Sequence, residues 1–219
     1  MSITLKDQII ILLLTILLTA FSYFYLDRGI ALLVFRSIRR SYLLTQASSD
    51  IPDLLLYIVM TLTVLSWTVR FFLMRLGIHN QHTNFLRALG TVLPISFVAK
   101  VIFQYVFGRS DPHAWVLFHQ FPHFYWFRID EGYGCFPSGH MTVFTALMTT
   151  LSHYYSRYRR IFLGSLILLG LALIATDYHF LSDVVAGVFL GMVVTFIAGD
   201  VQTSSGSSGG LRSENRPRF

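Results

Sequence analysis

The run IIILLLTILLTAFSYFYL, residues 9–26, decides the fold. It contains no charged residue and comes close to the roughly 20 mainly apolar residues that a helix needs to cross about 30 Å of hydrocarbon. Its length, its aromatic end and the lack of a clear small-residue cleavage site set it apart from a secretory leader, so a retained first span is predicted. Comparable runs follow at 54–74, 89–107, 138–155, 161–177 and 183–199. The pattern predicts an all-α polytopic membrane bundle of about six transmembrane helices. It would form a single membrane-embedded domain over 1–200, followed by a flexible tail over 201–219.

Composition supports this reading. The chain is 54% hydrophobic and only 13% charged, with a mean hydropathy of +0.59, whereas soluble domains carry about 25% charged residues. The net charge of +6 comes from residues lying between the apolar runs rather than in a basic stripe. That distribution argues for membrane loops and against nucleic acid as a partner. Cys135 is the only cysteine, which excludes an intrachain disulfide.

Two further stretches belong to the membrane surface. In 29–46, Leu32, Leu33, Phe35 and Ile38 alternate with Arg36, Arg39 and Arg40, the pattern of an interfacial amphipathic helix. The long connection 109–136 mixes His113, His119, His123, Arg128, Asp130 and Glu131 with aromatics, and its FPHFYWF segment at 121–127 suits the headgroup level. With six spans, Lys6, Arg70, Arg75, Arg87, Arg157, Arg159, Arg160 and the tail arginines share one side. Arg28, Arg36, Arg39, Arg40, Arg109 and Arg128 lie on the other. The positive-inside rule then places both termini in the cytoplasm and the 109–136 loop outside, as in a bacterial inner membrane with its loop in the periplasm.

Three elements meet at that outer face. PSGH, Pro137 to His140, opens the fourth span. A proline in the first helical turn would leave the amides around Ser138 and Gly139 as helix-start donors for an anion, with no glycine side chain in the way. His140 follows, placed to exchange a proton beside that anion. HFLSD, His179 to Asp183, precedes the sixth span. Its i, i+4 spacing lets Asp183 orient His179 and leave one ring nitrogen as a nucleophile. FGRSDP at 107–112 adds Arg109, whose fork can hold phosphate through paired hydrogen bonds. Each element alone fits a plain helix cap or boundary charge, and it is their convergence that points to phosphate chemistry. His140, His179 and Asp183 are also acceptable metal ligands, but the ready anion site makes a metal the lesser reading.

With FGRSDP, CFPSGH and YHFLSDVVAG in this order and spacing, the chain resembles the type 2 phosphatidic acid phosphatase family, over about 54–199. The resemblance implies that His179 becomes phosphorylated, Asp183 orients it, His140 protonates the leaving group, and Ser138 and Gly139 cradle the phosphate. It implies a lipid phosphate or diphosphate as substrate, with no cofactor and no metal. The basic half of the family's pattern is altered. Where the family has a lysine, then six residues, then arginine–proline, anchoring on Pro112 puts Gln104 and Asp111 at those positions, and Leu173 replaces a further arginine. Arg109 and Arg128 are the candidate substitutes. Lys100 lies nine residues before Arg109. About 100° per residue turns it to the opposite helix face, so a functional and a structural role both stay open and it is not assigned to the site. The expected activity is hydrolysis of a lipid phosphate. Alternatives are lipid phosphotransfer through the same intermediate, or a lipid-phosphate binding or transport protein with impaired chemistry.

Overall fold

A chain crossing hydrocarbon has to satisfy its backbone hydrogen bonds internally, and this one does so with helices. The computed structural model describes residues 5–38, 51–112, 115–116, 124–128 and 133–210. Helix α1 (Leu5–Phe21) runs through a π-helical turn (Ser22–Leu26) into α2 (Asp27–Ile38). There follow α3 (Ile51–Arg75), α4 (Gln81–Phe107), α5 (Gly139–Tyr154), a short 3₁₀ turn (Ser156–Tyr158), α6 (Arg159–Ala175) and α7 (Leu181–Gly210). Among the described residues the only β pairing consists of isolated bridges that join Arg109 to Phe124 and to Gly134.

Polarity is distributed as in a membrane protein. Leu13, Leu17, Phe24, Leu163 and Leu168 face outward, while Ser22, Thr83, Ser96, Thr142 and Thr145 are buried. Among the described residues, five helical segments are long and apolar enough to cross a bilayer: Ile9–Ser37, Leu54–Arg75, Gln81–Phe107, Ser156–Ala175 and Leu181–Gly199. The remaining predicted span, 138–155, is α5, which has only 16 residues. Helices α4, α6 and α7 all pack against it. Met141, Leu173 and Val184 form one of the surrounding clusters, and Val92, Ala146, Leu190, Val194 and Ala198 form another. The chain is thus an all-α integral membrane bundle.

Two boundaries differ from expectation. The segment expected to lie along the interface from residue 29 is helical over 29–38 but continues the first helix without a break, and residues 39–46 lie outside those described. Helix α7 runs to Gly210, into the stretch expected to be tail. Residues 211–219 lie outside the described part.

The α5–α7 contact needs glycine. A Cβ on Gly191 would stand 2.4 Å from the Thr142 carbonyl oxygen and 2.8 Å from Thr145 Cβ, and one on Gly187 would stand 2.6 Å from the Ser138 carbonyl oxygen. Backbones cannot yield as side chains do, so Gly191→Ala has to push the helices apart, at about 1–3 kcal/mol. Its melting midpoint in detergent should fall by several degrees. An unchanged midpoint would mean that this packing does not limit stability.

Candidate active site

The polar residues gather where the C-terminal ends of α4 and α6 meet the N-terminal ends of α5 and α7. Helix α4 stops at Gly108, which takes a left-handed φ of 37°. A side chain there would collide with the Tyr125 carbonyl, so the turn requires glycine. Arg109 therefore leaves the helix axis. Its backbone is pinned on both sides: Tyr125 N–H donates to the Gly108 carbonyl at 2.7 Å, and Cys135 N–H donates to the Arg109 carbonyl at 3.0 Å.

A second left-handed residue presents His179. Asp177, at φ 56°, closes α6, and Asp is among the few residues that tolerate this region. The turn lets the N–H groups of Tyr178 and His179 both donate to the Leu173 carbonyl, at 3.1 and 3.2 Å. Helix α7 starts two residues after His179. The chain therefore delivers His179 and Asp183 together, with Asp183 Oδ2 accepting the Phe180 N–H at 2.9 Å.

His179 and Asp183 come together, but through a third residue. Nδ1 of His179 lies 3.8 Å from Asp183 Oδ2, too far for a direct hydrogen bond. The Cys135 sulfur bridges the gap, 3.1 Å from His179 Nδ1 and 3.1 Å from Asp183 Oδ2. Burial, and then the carboxylate of Asp183 beside it, pushes the Cys135 thiol well above its ordinary value, so it stays a protonated donor. His140 faces His179 with ring centroids 6.3 Å apart. The Tyr178 ring stands 5.6 Å from that of His140, and burial pushes the Tyr178 phenol up to about 12. Sγ, Nδ1 and a carboxylate oxygen of Cys135, His179 and Asp183 fall within 4.8 Å of one another, the one group among the described residues that could hold a metal ion. Each of those donors is already hydrogen-bonded, and Asp183 is already paired with a cation.

The PSGH turn is built differently from its sequence reading. Ser138 is the N-cap and Gly139 the first helical residue, so Pro137 precedes the helix rather than opening it. Ser138 N–H donates to the Asp183 carbonyl at 3.0 Å, and its Oγ accepts from Met141 N–H at 3.4 Å. Its amide is therefore spoken for. The Gly139 amide heads the helix, where no intrahelical acceptor exists.

The cations are also redistributed. Arg109 is completely buried. Its Nη1 donates to Asp183 Oδ1 at 2.5 Å and to Ser182 Oγ at 2.7 Å, and its Nη2 donates to Asp27 Oδ2 at 2.8 Å. Phe180, Tyr23 and Phe124 surround the guanidinium at 4.1, 5.0 and 5.5 Å. Burial opposes its charge, but Asp183 and Asp27 outweigh burial and hold it cationic. Both terminal nitrogens of Arg109 are therefore bonded to protein groups, while its buried Nε has no hydrogen-bond partner among the described residues. Arg128 packs over Tyr133 at 4.0 Å and over Tyr125 at 5.3 Å.

Lys100, set aside on helical geometry, lies at the cradle. A Cβ on Gly139 would meet Lys100 Cε at 2.5 Å and Cδ at 2.9 Å, and Nζ sits 4.8 Å from the Phe97 ring centroid. The opposite-face estimate assumed one continuous helix, and Gly108 breaks that helix before Arg109. Gln104 also contributes, donating from Nε2 to the Pro137 carbonyl at 3.1 Å and so holding the PSGH turn. Asp27 and Cys135 escaped the sequence reading. An ionisable residue ending an apolar run was the available signal for the first, and a lone cysteine two residues before PSGH for the second.

The membrane helix bundle thus brings two histidines together at a helix start, beside a buried carboxylate–guanidinium pair. The PAP2 superfamily model matches residues 85–203, more than half of the chain. The protein belongs to that superfamily, whose members are phosphatases and phosphotransferases. Neither the curated proteins nor the solved structures contained a match to the chain.

Proposed function

We propose that this protein is a lipid phosphate phosphatase acting at the outer face of its membrane through a phosphohistidine. The observation that carries the reading is the pair His179 and His140, 6.3 Å apart between ring centroids, beside the Gly139 helix start. Nδ1 of His179 is turned toward Cys135 and Asp183, so Nε2 is the nitrogen that attacks phosphorus. As the N–P bond forms, the P–O bond to the lipid breaks and His140 passes its proton to the leaving oxygen. His140 then takes a proton from water, whose oxygen attacks phosphorus and releases phosphate and neutral His179. The Gly139 amide and the Lys100 ammonium offset charge on the transferring oxygens.

The substrate is a lipid because the site sits at the ends of membrane helices, beside the aromatic residues Phe124 and Trp126. Candidate headgroups are a phosphatidic acid, a phosphatidylglycerol phosphate, an isoprenoid diphosphate or a lipid A phosphate. The charge distribution supports a topology with both termini in the cytoplasm and the site facing the periplasm of a bacterial inner membrane. Membrane lipids are its other partners.

The test is release of inorganic phosphate from phosphatidate and from an isoprenyl diphosphate in mixed micelles, with chelator present. The expected result is release, accompanied by an acid-labile phosphoprotein. Labelled phosphate appearing only on a second lipid would instead identify a phosphotransferase. Binding without any phosphoprotein would overturn the reading in favour of a carrier.

Lys100→Ala should lower kcat/KM by about 10- to 100-fold, the worth of a charged hydrogen bond to a phosphate oxygen. Lys100→Arg should recover part of it. Unchanged kinetics in the alanine variant would return Lys100 to a purely structural role.

A further inference from the structure

The first helix contributes a carboxylate that the matched region, residues 85–203, does not contain. Asp27 is 1% exposed at the far end of an apolar run, where an ionised group costs several kcal/mol unless it is paired. Its Oδ2 accepts from Arg109 Nη2 at 2.8 Å and from Ser182 Oγ at 2.5 Å, and its Oδ1 accepts the Ser182 N–H at 3.0 Å. It thus caps α7 from another helix and completes a chain from Asp27 through Arg109 to Asp183, and on through Cys135 to His179. The local backbone serves this contact. The π-helical turn Ser22–Leu26 immediately precedes Asp27, whose N–H donates to the Ser22 carbonyl. Such turns recur at functional sites. Tyr23, four residues before Asp27, faces the same guanidinium at 5.0 Å and stacks on Phe124 at 5.2 Å between centroids.

We propose that Asp27 is a positioning residue for phosphoryl transfer, acting through Arg109 on Asp183 and His179, and that the N-terminal helix is therefore part of the working site. The proposal rests on the phosphohistidine reading above. Two effects support it. Held by Asp27 on one side, Arg109 is fixed where a single guanidinium nitrogen meets both Ser182 and Asp183, so the carboxylate cannot swing away from Cys135. Two carboxylates share one guanidinium, so Asp27 when ionised leaves the cluster with one excess negative charge behind His179. Attack by neutral imidazole makes the ring cationic, since Nδ1 keeps its proton while Nε2 bonds to phosphorus. The excess charge favours that change in a site where preorganised electrostatics count heavily.

The experiment compares purified wild type, Asp27→Asn and His179→Ala on the lipid phosphate that wild type turns over. Asparagine preserves the shape and can still accept the Ser182 N–H, so the fold should survive, as its melting midpoint in detergent will show. The expected result is a fall in kcat of about tenfold or more, with KM within about twofold. In a single turnover the phosphoprotein should form correspondingly more slowly. Asp27→Glu, which retains the charge, should keep more of kcat than Asp27→Asn. Wild-type kcat in Asp27→Asn, with His179→Ala inactive, would overturn this inference and leave the phosphatase reading standing. A loss of kcat matched by loss of folded protein in both Asp27 variants would reduce Asp27 to a structural anchor and also overturn it. A wild type that forms no phosphoprotein would remove both readings together.

Discussion

Alanine at His179 is expected to abolish phosphate release, lowering kcat by about 10⁴-fold or more, as loss of a covalent nucleophile does. The size of the effect follows from how little else in the site can attack phosphorus. The Cys135 thiol is held protonated by burial and by Asp183, and it lies behind His179 rather than between the two histidines. The Ser138 hydroxyl is occupied as the α5 cap. Neither can take over. Binding should survive, because the Gly139 amide, Lys100 and His140 are untouched, so affinity for the lipid phosphate should change only a few-fold. His140→Ala should behave differently. It removes a proton donor, so its defect should be large with an alkyl phosphate and much smaller with p-nitrophenyl phosphate, whose leaving group needs no proton. Phosphate release surviving in His179→Ala, or a His140→Ala defect indifferent to the leaving group, would sink the two-histidine mechanism.

The legible and illegible parts of this protein divide along a physical line. Apolar run length is a local property, and it sufficed for the bundle. The continuation of the first helix past residue 26 was missed, because Asp27 and Arg28 look like the end of a span when their partners are unknown. In the structure Asp27 is paired with Arg109, 82 residues away, and no local pattern announces such a pairing. The i, i+4 spacing announced that Asp183 lies near His179, but His179 precedes the helix start at Leu181, and the bridging Cys135 comes from a different loop. Lys100 shows the reverse case. Its angle to Arg109 cannot be counted along one helix, because the left-handed turn at Gly108 ends the helix between them. Ser138 was read as an anion donor because helix starts usually have free amides, yet its amide serves the neighbouring Asp183 carbonyl. Short-range chemistry was readable, whereas the assignment of each charge to its partner needed the tertiary contacts.

Arg109→Ala is the substitution expected to cost most in stability, and it separates the two roles this residue can be given. If Arg109 held phosphate, its loss would weaken substrate binding and leave the empty protein intact. The structure instead sets the guanidinium between Asp27 and Asp183, with Ser182 sharing one nitrogen and the ring of Phe180 at 4.1 Å. Removing it strands two buried carboxylates without a counter-charge, a defect that typically costs about 3–5 kcal/mol, and empties a volume lined by aromatic rings. For a chain of this length that corresponds to a melting midpoint lower by about 10 °C or more. Phosphate release should disappear with it, since Asp183 would lose the contact that aims it. Arg109→Lys should recover only part of the stability. One ammonium can neutralise charge, but it lacks the planar fork that reaches Asp27 and Asp183 from opposite nitrogens. Combining Arg109→Ala with Asp27→Asn should restore some stability relative to Arg109→Ala alone, because one stranded carboxylate is removed with its partner; coupling of this kind marks residues in one network. Were Arg109→Ala to keep the wild-type melting midpoint and only raise KM, the guanidinium would belong to the phosphate after all, and the buried network would have to be assigned another purpose.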